Sequence, residues 1–298
     1  MDRFDLKTYL AQRREVIDAA LNQVLPSDEA GGDILKAMRY SLFAGGKRVR
    51  PILCLAGCEA AGGRMEDAMF CACALEMVHT YSLVHDDLPA MDDDDFRRGV
   101  PTNHKVFGDG MAVLAGDGLL TQAMVLLTDP KHTTGLKPER VLRAAHAVMH
   151  AVGYEGMVGG QAADLAAEQA EPDLALVQFI HAMKTGALLT AAVQSGAILG
   201  GASQQAEKAL LRYGRRVGLA FQIADDLLDI TGSSEELGKE VGMDEARGKM
   251  TYPGVAGPAV AKETGFRLVD EAVEIIADLG PKAEPLALLA RYIMERTN

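Results

Sequence analysis

The sequence predicts an all-helical protein, with about ten helices in one domain that spans residues 1–298. Apolar residues recur at three- and four-residue spacing along most of the chain, and no segment of comparable length alternates with a period of two. Aromatic residues make up only 5% of the chain, so the core depends on aliphatic residues and Met, which favour helices here. The segments with helical periodicity are 4–25, 33–44, 48–62, 66–90, 111–128, 137–152, 173–201, 203–229, 258–279 and 283–296.

Short irregular stretches separate the predicted helices. Breaks fall at residues 26–28, 128–138 and 231–253, where Pro, Gly or clustered charges interrupt the pattern. None of these has the composition of a domain linker, and no repeat period is visible, which favours a single domain. Asp33 and Ser203 are predicted to cap helix N-termini.

The overall charge excludes some partners. The net charge of −12 at pH 7 argues against nucleic acid and against anionic membrane surfaces as partners.

The first residues are charged throughout and lack the apolar stretch of a secretory signal. The longest uncharged run, 185–205, is predicted to be a buried helix rather than a membrane span. We therefore expect a cytoplasmic protein without a membrane span.

The four cysteines, Cys54, Cys58, Cys71 and Cys73, lie in apolar sequence. Cys54 and Cys58 would share one helix face, but the spacings do not match the usual zinc patterns. We therefore predict buried free thiols in a reducing compartment.

An acidic segment near residue 225 predicts one half of a charged site. Asp225 and Asp229 point the same way on a helix, together with Gln222, whereas Asp226 is turned away by about 100°. A solvated acidic helix face is the simplest alternative, but apolar residues flank this cluster on both sides. Because the cluster contains neither His nor Cys, its oxygen ligands suit a hard cation such as Mg²⁺.

A denser acidic cluster at residues 86–95 contains six carboxylates, and two arginines follow it. Pro89 disfavours a continued helix, so the chain can turn and bring Asp92 back toward Asp86 to share a metal ion. The spacing does not match a calcium-binding loop. Most of residues 93–95 are expected to be structural or solvated.

A basic loop at residues 45–51 adds a third element. Its glycines allow close backbone approach, and Lys47 and Arg50 could bind a phosphate, although the residue order is not that of a P-loop. His79 lies two helical turns before Asp86 and on nearly the same face. Taken alone, the loop is weak evidence, and a lone His on an apolar helix is more often a core residue. With the two acidic clusters, these cations predict a site for a diphosphate group.

The chemistry-bearing motifs occur in order along nearly the whole chain. They are Gly-Gly-Lys47-Arg48-Val-Arg50-Pro, His79-Thr-Tyr81-Ser-Leu-Val-His-Asp86-Asp87, Arg97-Arg98-Gly, Gly160-Gln161-Ala-Ala-Asp164, Lys184-Thr185-Gly, Phe221-Gln222-Ile-Ala-Asp225-Asp226-Leu-Leu-Asp229, and Gly238-Lys239 with Lys249. This ordered set resembles the trans-prenyltransferases, the short-chain isoprenyl diphosphate synthases, and is most similar to the bacterial type of farnesyl diphosphate synthase. The resemblance implies an isoprenoid synthase fold, in which the helices surround a central substrate cavity, and a homodimer.

The resemblance also implies a reaction and a role for each site residue. Isopentenyl diphosphate would condense with dimethylallyl and geranyl diphosphates, with three Mg²⁺ ions in the substrate complex. Asp86 and Asp92 would bind two of these ions, and Asp225 the third. The allylic diphosphate would be held by Arg97, Lys184, Thr185, Gln222, Lys239 and Lys249. Isopentenyl diphosphate would be held by Lys47, Arg50, His79 and Arg98, and the departing diphosphate is the favoured proton acceptor.

Product length is the finer question within this family. A bulky residue five positions before the first aspartate tends to close the channel floor, and that position is Tyr81, followed by Ser82. With the two extra residues in the first aspartate motif, this is the pattern of a fifteen-carbon product. Helical spacing alone does not place Tyr81 under the substrate, because five residues correspond to about 140° around the helix. An ordinary core Tyr is the alternative.

Three other functions fit parts of the sequence. One is a longer-chain synthase of the same family that makes geranylgeranyl diphosphate, for which a small residue would be expected in place of Tyr81. A class I terpene cyclase would share the fold and the first aspartate motif, but it needs no isopentenyl site. A non-catalytic regulatory subunit would be expected to have lost aspartates or arginines, and none of the expected set is missing.

Overall fold

The computed structural model describes residues 4–27, 31–167, 171–231 and 249–295, and these are almost entirely helical, as predicted. The helices are α1 (Leu6–Val24), α2 (Gly32–Leu42), α3 (Val49–Ala60), α4 (Met65–Asp86), α5 (Asn103–Phe107), α6 (Asp109–Thr128), α7 (Pro130–Thr133), α8 (Pro138–Val152), α9 (Met157–Ala167), α10 (Leu174–Ile180), α11 (Ala187–Gly200), α12 (Gln204–Thr231), α13 (Tyr252–Ala256), α14 (Pro258–Ile275) and α15 (Glu284–Glu295). A π-helical segment, His181–Gly186, joins α10 to α11. Within these ranges the strands form one short antiparallel hairpin, β1 (Phe96–Arg97) and β2 (Val100–Pro101).

Helices α3, α4 and α11 occupy the centre of the fold. Helix α11 packs against α3, α4, α8 and α12, and α4 also packs against α3 and α6. These central helices are apolar around most of their circumference, which is the pattern of a helix buried on all sides. The four cysteines lie in this core as buried free thiols, as predicted.

Several predicted boundaries require correction. Helix α4 ends at Asp86 rather than at residue 90, because the chain turns before Pro89. The sequence pattern does not predict helix α9, because its Gly- and Ala-rich sequence carries little apolar periodicity. Asp33 is not an N-cap, because α2 already begins at Gly32. Ser203 is one, and its Oγ accepts a hydrogen bond from the backbone N–H of Ala206 at 3.2 Å.

Two helical stretches are long and apolar enough to cross a membrane by length and composition alone. They are Asp109–Thr128 and Leu174–Gly200, and their most apolar windows are 39% and 50% buried within the fold. Core helices of globular proteins pass the same test, so this is weak evidence for a span. The second stretch also contains Lys184, which forms an ion pair inside the protein.

Candidate active site

The first acidic cluster forms a tight turn at the end of α4. The backbone N–H of Asp92 donates to the carbonyl oxygen of Asp86 at 2.8 Å, so the chain folds back on itself as the sequence predicts. Asp93 adopts a left-handed conformation with φ of 49° to complete the turn. The Thr102 hydroxyl, buried beside the hairpin, donates to the carbonyl oxygen of Asp94 at 2.7 Å. These hydrogen bonds fold the loop so that Asp92 returns to Asp86, and its charge acts on that carboxyl.

Two lysines from distant parts of the chain lie beside these aspartates. Lys249 Nζ is 3.4 Å from a carboxylate oxygen of Asp92. Burial raises the pKa of Asp86 and Asp92 raises it further, whereas Lys184, Arg97 and Lys249 lower it. The structure therefore brings together the predicted residues of the first cluster and two of its predicted cations.

Lys184 is positioned by a local distortion of its helix. It lies in the π-helical segment between α10 and α11, and its Nζ is 2.6 Å from Asp164 on α9. A side chain at Gly160 would collide with the backbone of Lys184, so only glycine lets α9 approach this closely. π-Helical turns are rare within α-helices and occur often at functional sites. Asp164 is a residue that the sequence motif contained but to which the sequence assigned no role.

The second acidic cluster divides into residues with different surroundings. Asp226 is 3% exposed, and it accepts hydrogen bonds from the backbone N–H of Tyr252 at 2.8 Å and from Gln222 Nε2 at 3.1 Å. His181 Nε2 lies 3.3 Å from the same carboxylate. Gln222 was predicted to share a face with Asp225, but its amide reaches Asp226 instead. Asp226 thus links α12 to the π-helical segment and to the start of α13.

Asp225 itself is half-buried, whereas Asp229 is 2% exposed. The charge of Asp225 reaches Arg50, whose pKa it raises against the stronger lowering effect of burial. The second cluster and the basic loop therefore face a common region, although they are far apart in the sequence.

Arg50 of the basic loop and the nearby Arg98 carry positive charges that the carboxylates around them neutralise only in part. Burial lowers the pKa of Arg50 to about 10, and its buried Nε has no hydrogen-bond partner. Burial and then the nearby Arg50 and Arg98 hold the pKa of His79 well below its usual range. Gly46 has φ of 126°, and a Cβ there would lie 2.8 Å from the Arg98 guanidinium. This arrangement has the properties of an anion-binding site.

The two residues predicted to set product length lie on α4 near the first cluster. Tyr81 is 7% exposed and packs edge-on against His85, with ring centroids 5.7 Å apart. Burial raises its pKa to about 12, with a further contribution from Asp86. Ser82 is half-buried and donates to the carbonyl oxygen of His79 at 2.9 Å.

The remaining predicted site residues have varied surroundings. Arg97 Nε donates to Asp87 at 2.6 Å, and its Nη2 donates to Asp94 at 3.1 Å. Thr185 is half-buried in the π-helical segment, and Lys47 is exposed in the basic loop. Lys239 lies outside the described residues.

No three side chains of His, Cys, Asp or Glu converge into a preformed metal cage within the described ranges. This agrees with the chemistry of Mg²⁺, which usually takes one or two carboxylates and completes its shell with water and substrate phosphate oxygens. The oxygen-only donor set of Asp86, Asp92 and Asp225 therefore fits this ion.

Comparisons with known proteins identify the family. The polyprenyl synthetase family pattern matches residues 33–276. A dimethylallyltranstransferase from Fischerella ambigua is 51% identical over 296 residues, covering 99% of this chain and 85% of that protein. Geranylgeranyl pyrophosphate synthase 11 of Arabidopsis thaliana is 48% identical, covering 99% and 83%. The crystal structure of an FPP/GFPP synthase from Zymomonas mobilis matches with a TM-score of 0.86 at 39% identity, covering 97% and 98%. From this extent of similarity, the chain belongs to the polyprenyl synthetase family of trans-prenyltransferases.

Proposed function

We propose that this trans-prenyltransferase condenses isopentenyl diphosphate with dimethylallyl and then geranyl diphosphate to give farnesyl diphosphate. The observation that carries this proposal is the meeting of Asp86 and Asp92 with Lys184 and Lys249 beside a separate basic group around Arg50. A mixed site of carboxylates and lysines suits a metal-bound diphosphate, and a purely basic site suits a diphosphate bound without metal. Two diphosphates of different kinds are what this reaction requires.

Asp86, Asp92 and Asp225 are the residues that would hold Mg²⁺, and three bound ions remain a prediction. When bound, the metal neutralises negative charge on the leaving diphosphate. The same diphosphate would be bound by Arg97, Lys184, Thr185, Gln222, Lys239 and Lys249. Among these, Lys184 and Lys249 already lie beside the two aspartates, which supports the assignment.

Lys47, Arg50, His79 and Arg98 would bind the diphosphate of isopentenyl diphosphate. The incompletely compensated charge of Arg50 and the strongly lowered pKa of His79 support this role, because a bound anion would relieve both. This diphosphate stays attached to its carbon chain, so the site only has to bind and orient it.

The reaction would begin with breakage of the allylic carbon–oxygen bond. Negative charge then develops on the leaving diphosphate, where Lys184 and Lys249 stabilise it. The double bond of isopentenyl diphosphate attacks the allylic cation, and a proton is lost to the departing diphosphate. The apolar sides of the central helices would keep water from the cation.

A fifteen-carbon product is proposed because Tyr81 is a large, buried side chain close to Asp86. A twenty-carbon product is the second candidate, because several relatives are named geranylgeranyl diphosphate synthases, including one from Cyanophora paradoxa that is 47% identical over 296 residues.

The test is to incubate the protein with isopentenyl diphosphate, Mg²⁺ and geranyl diphosphate and to size the products by mass spectrometry. A fifteen-carbon product supports the proposal, and a twenty-carbon product replaces it with the second candidate.

Replacing Tyr81 with Ala should lengthen the product by at least one five-carbon unit, because it removes a large buried ring near Asp86 and leaves space for a longer chain. Mass spectrometry of the products measures this directly. Tyr81→Phe is the matched control, since it keeps the ring and should keep the product. An unchanged product from Tyr81→Ala would show that another residue closes the channel.

We also propose a homodimer that forms through the outer face of α6. This helix exposes four large apolar side chains at helical spacing: Val113, Leu114, Met124 and Val125, which are 41% to 55% exposed. Exposed apolar side chains of this size are typical of an interface between subunits, and the exposed Asp117 and Thr121 lie between the two apolar pairs on the same face. One domain over residues 1–298 and a cytoplasmic location also remain predictions.

The dimer proposal predicts that Leu114→Glu combined with Met124→Glu converts the protein to a monomer, because the new charges would have to be buried. Light scattering after size-exclusion chromatography measures the mass. Val260→Glu on α14, at a residue that is 49% exposed, is the control and should leave the mass unchanged. A wild-type monomer, or a dimer that survives the double substitution, would contradict the proposal.

A further inference from the structure

The basic loop contains one arginine that points away from the candidate anion site. Arg48 lies between Lys47 and Arg50 in sequence, yet it is 3% exposed and adopts a left-handed conformation with φ of 51°. Such a conformation is unfavourable for a side chain of this size, so the contacts of the guanidinium must stabilise it.

All three nitrogens of the Arg48 guanidinium have protein partners. Its Nη1 donates to Glu76 at 2.6 Å, its Nε donates to Asp18 at 2.8 Å, and its Nη2 donates to the carbonyl oxygen of Leu42 at 2.9 Å. Glu76 is 2% exposed and lies on α4, one turn before His79. These bonds use three of the five N–H donors of the guanidinium, and the side chain is almost fully buried, so Arg48 is held inside the protein rather than presented to a ligand.

Glu76 is also the carboxylate that acts most strongly on the candidate anion site. After burial, it is the largest influence on the pKa of both Arg50 and Arg98, and it raises both values. The negative charge of Glu76 thus acts on both arginines. Its short hydrogen bond is nevertheless made to Arg48, while the Nε of Arg50 has no partner.

We propose that Arg48 is a positioning residue that holds Glu76 away from Arg50 and Arg98, and so keeps these two arginines available for the diphosphate of isopentenyl diphosphate. Without Arg48, the buried carboxylate needs another cation, and Arg50 is one on which its charge already acts and which has an unused donor. Glu76 would then occupy the site in place of the substrate. This inference rests on the proposed isopentenyl site, but its test does not require turnover.

The test measures binding of inorganic diphosphate by calorimetry in the absence of Mg²⁺. Arg50→Ala first locates the binding site, because it should remove most of the heat. Arg48→Met should then weaken binding by about tenfold or more, the usual effect of losing a hydrogen bond between charged groups. Glu76→Gln should bind at least as tightly as wild type. Arg48→Met combined with Glu76→Gln should regain most of the lost affinity, because no carboxylate is released.

A purely structural role for Arg48 predicts a different pattern. The double variant would then bind no better than Arg48→Met, and that result would overturn the proposal. If Arg48→Met does not fold, the diphosphate affinities of Glu76→Gln and of the double variant still test the proposal. It predicts that these two affinities agree within about threefold. Weaker binding by Glu76→Gln alone would also contradict the proposal.

Kinetics provide a second readout if the proposed reaction is observed. Arg48→Met should raise KM for isopentenyl diphosphate while KM for geranyl diphosphate stays close to the wild-type value. An equal rise in both would indicate general distortion and would overturn the proposal. An inactive wild type would refute the proposed function instead, and the calorimetry would still test the role of Arg48.

Discussion

Replacing Asp86 with Ala should slow elongation by about 10²–10³-fold or more, a loss typical of removing one group that stabilises transition-state charge. The positive charges of Lys184, Lys249 and Arg97 act on Asp86. We propose that this carboxylate binds the Mg²⁺ that contacts the leaving diphosphate. The fold should survive, because the turn is held by the backbone carbonyl of residue 86, which Ala retains. Steady-state turnover and the unfolding midpoint measure the two effects separately.

Asp95→Ala is the matched control in the same loop. The Asp95 side chain is 64% exposed and forms an ion pair with Lys105 at 2.7 Å, so it should contribute little to stability or turnover. Near-normal turnover by Asp86→Ala, or equal losses in both variants, would refute the assignment of the first cluster.

Substitutions of the neighbouring Asp225 and Asp226 should have different effects. Asp225→Ala should lower turnover by about 10²–10³-fold with little change in stability, because it removes a proposed metal ligand that is only half-buried. Asp226→Ala should lower the free energy of unfolding by about 3 kcal/mol or more, since it leaves the buried Tyr252 N–H and the half-buried Gln222 amide without this acceptor and removes the carboxylate beside His181. Thermal unfolding and turnover, measured on both variants, distinguish the two roles.

Asp226→Asn is the control for this pair. Its remaining oxygen can still accept from the Tyr252 N–H, so its loss of stability should be smaller than that of Asp226→Ala. A marked loss of stability in Asp225→Ala, with none in Asp226→Ala, would reverse the assignment of the two aspartates.

The sequence predicts the site best where neighbouring residues determine the geometry. Pro89 indicates the turn that brings Asp92 back to Asp86, and the structure shows that turn. Helical spacing also separates Asp226 from Asp225, and the structure places Asp226 in a buried network of its own. Both inferences need only the helical repeat and the restricted backbone of the residue before proline.

Features that depend on contacts between distant elements are not predictable in this way. The π-helical turn that carries Lys184 depends on packing against Gly160 of α9, and α9 itself lacks a clear apolar period. Similarly, the sequence groups Arg48 with the cations of the basic loop, but Glu76 and Asp18 turn it inward. A charged residue can point toward a ligand or toward a buried partner, and the partner is visible only in the fold.

The most direct test of the central account follows radiolabel from isopentenyl diphosphate into an acid-labile allylic diphosphate, whose hydrolysis releases an apolar alcohol. The account predicts that purified protein forms this product only when geranyl diphosphate and Mg²⁺ are both present. Product formation without an allylic diphosphate, or without a divalent cation, would contradict the proposed division into a metal-dependent and a metal-free diphosphate site. No product from folded protein with all components present would contradict catalysis itself and favour a non-catalytic subunit.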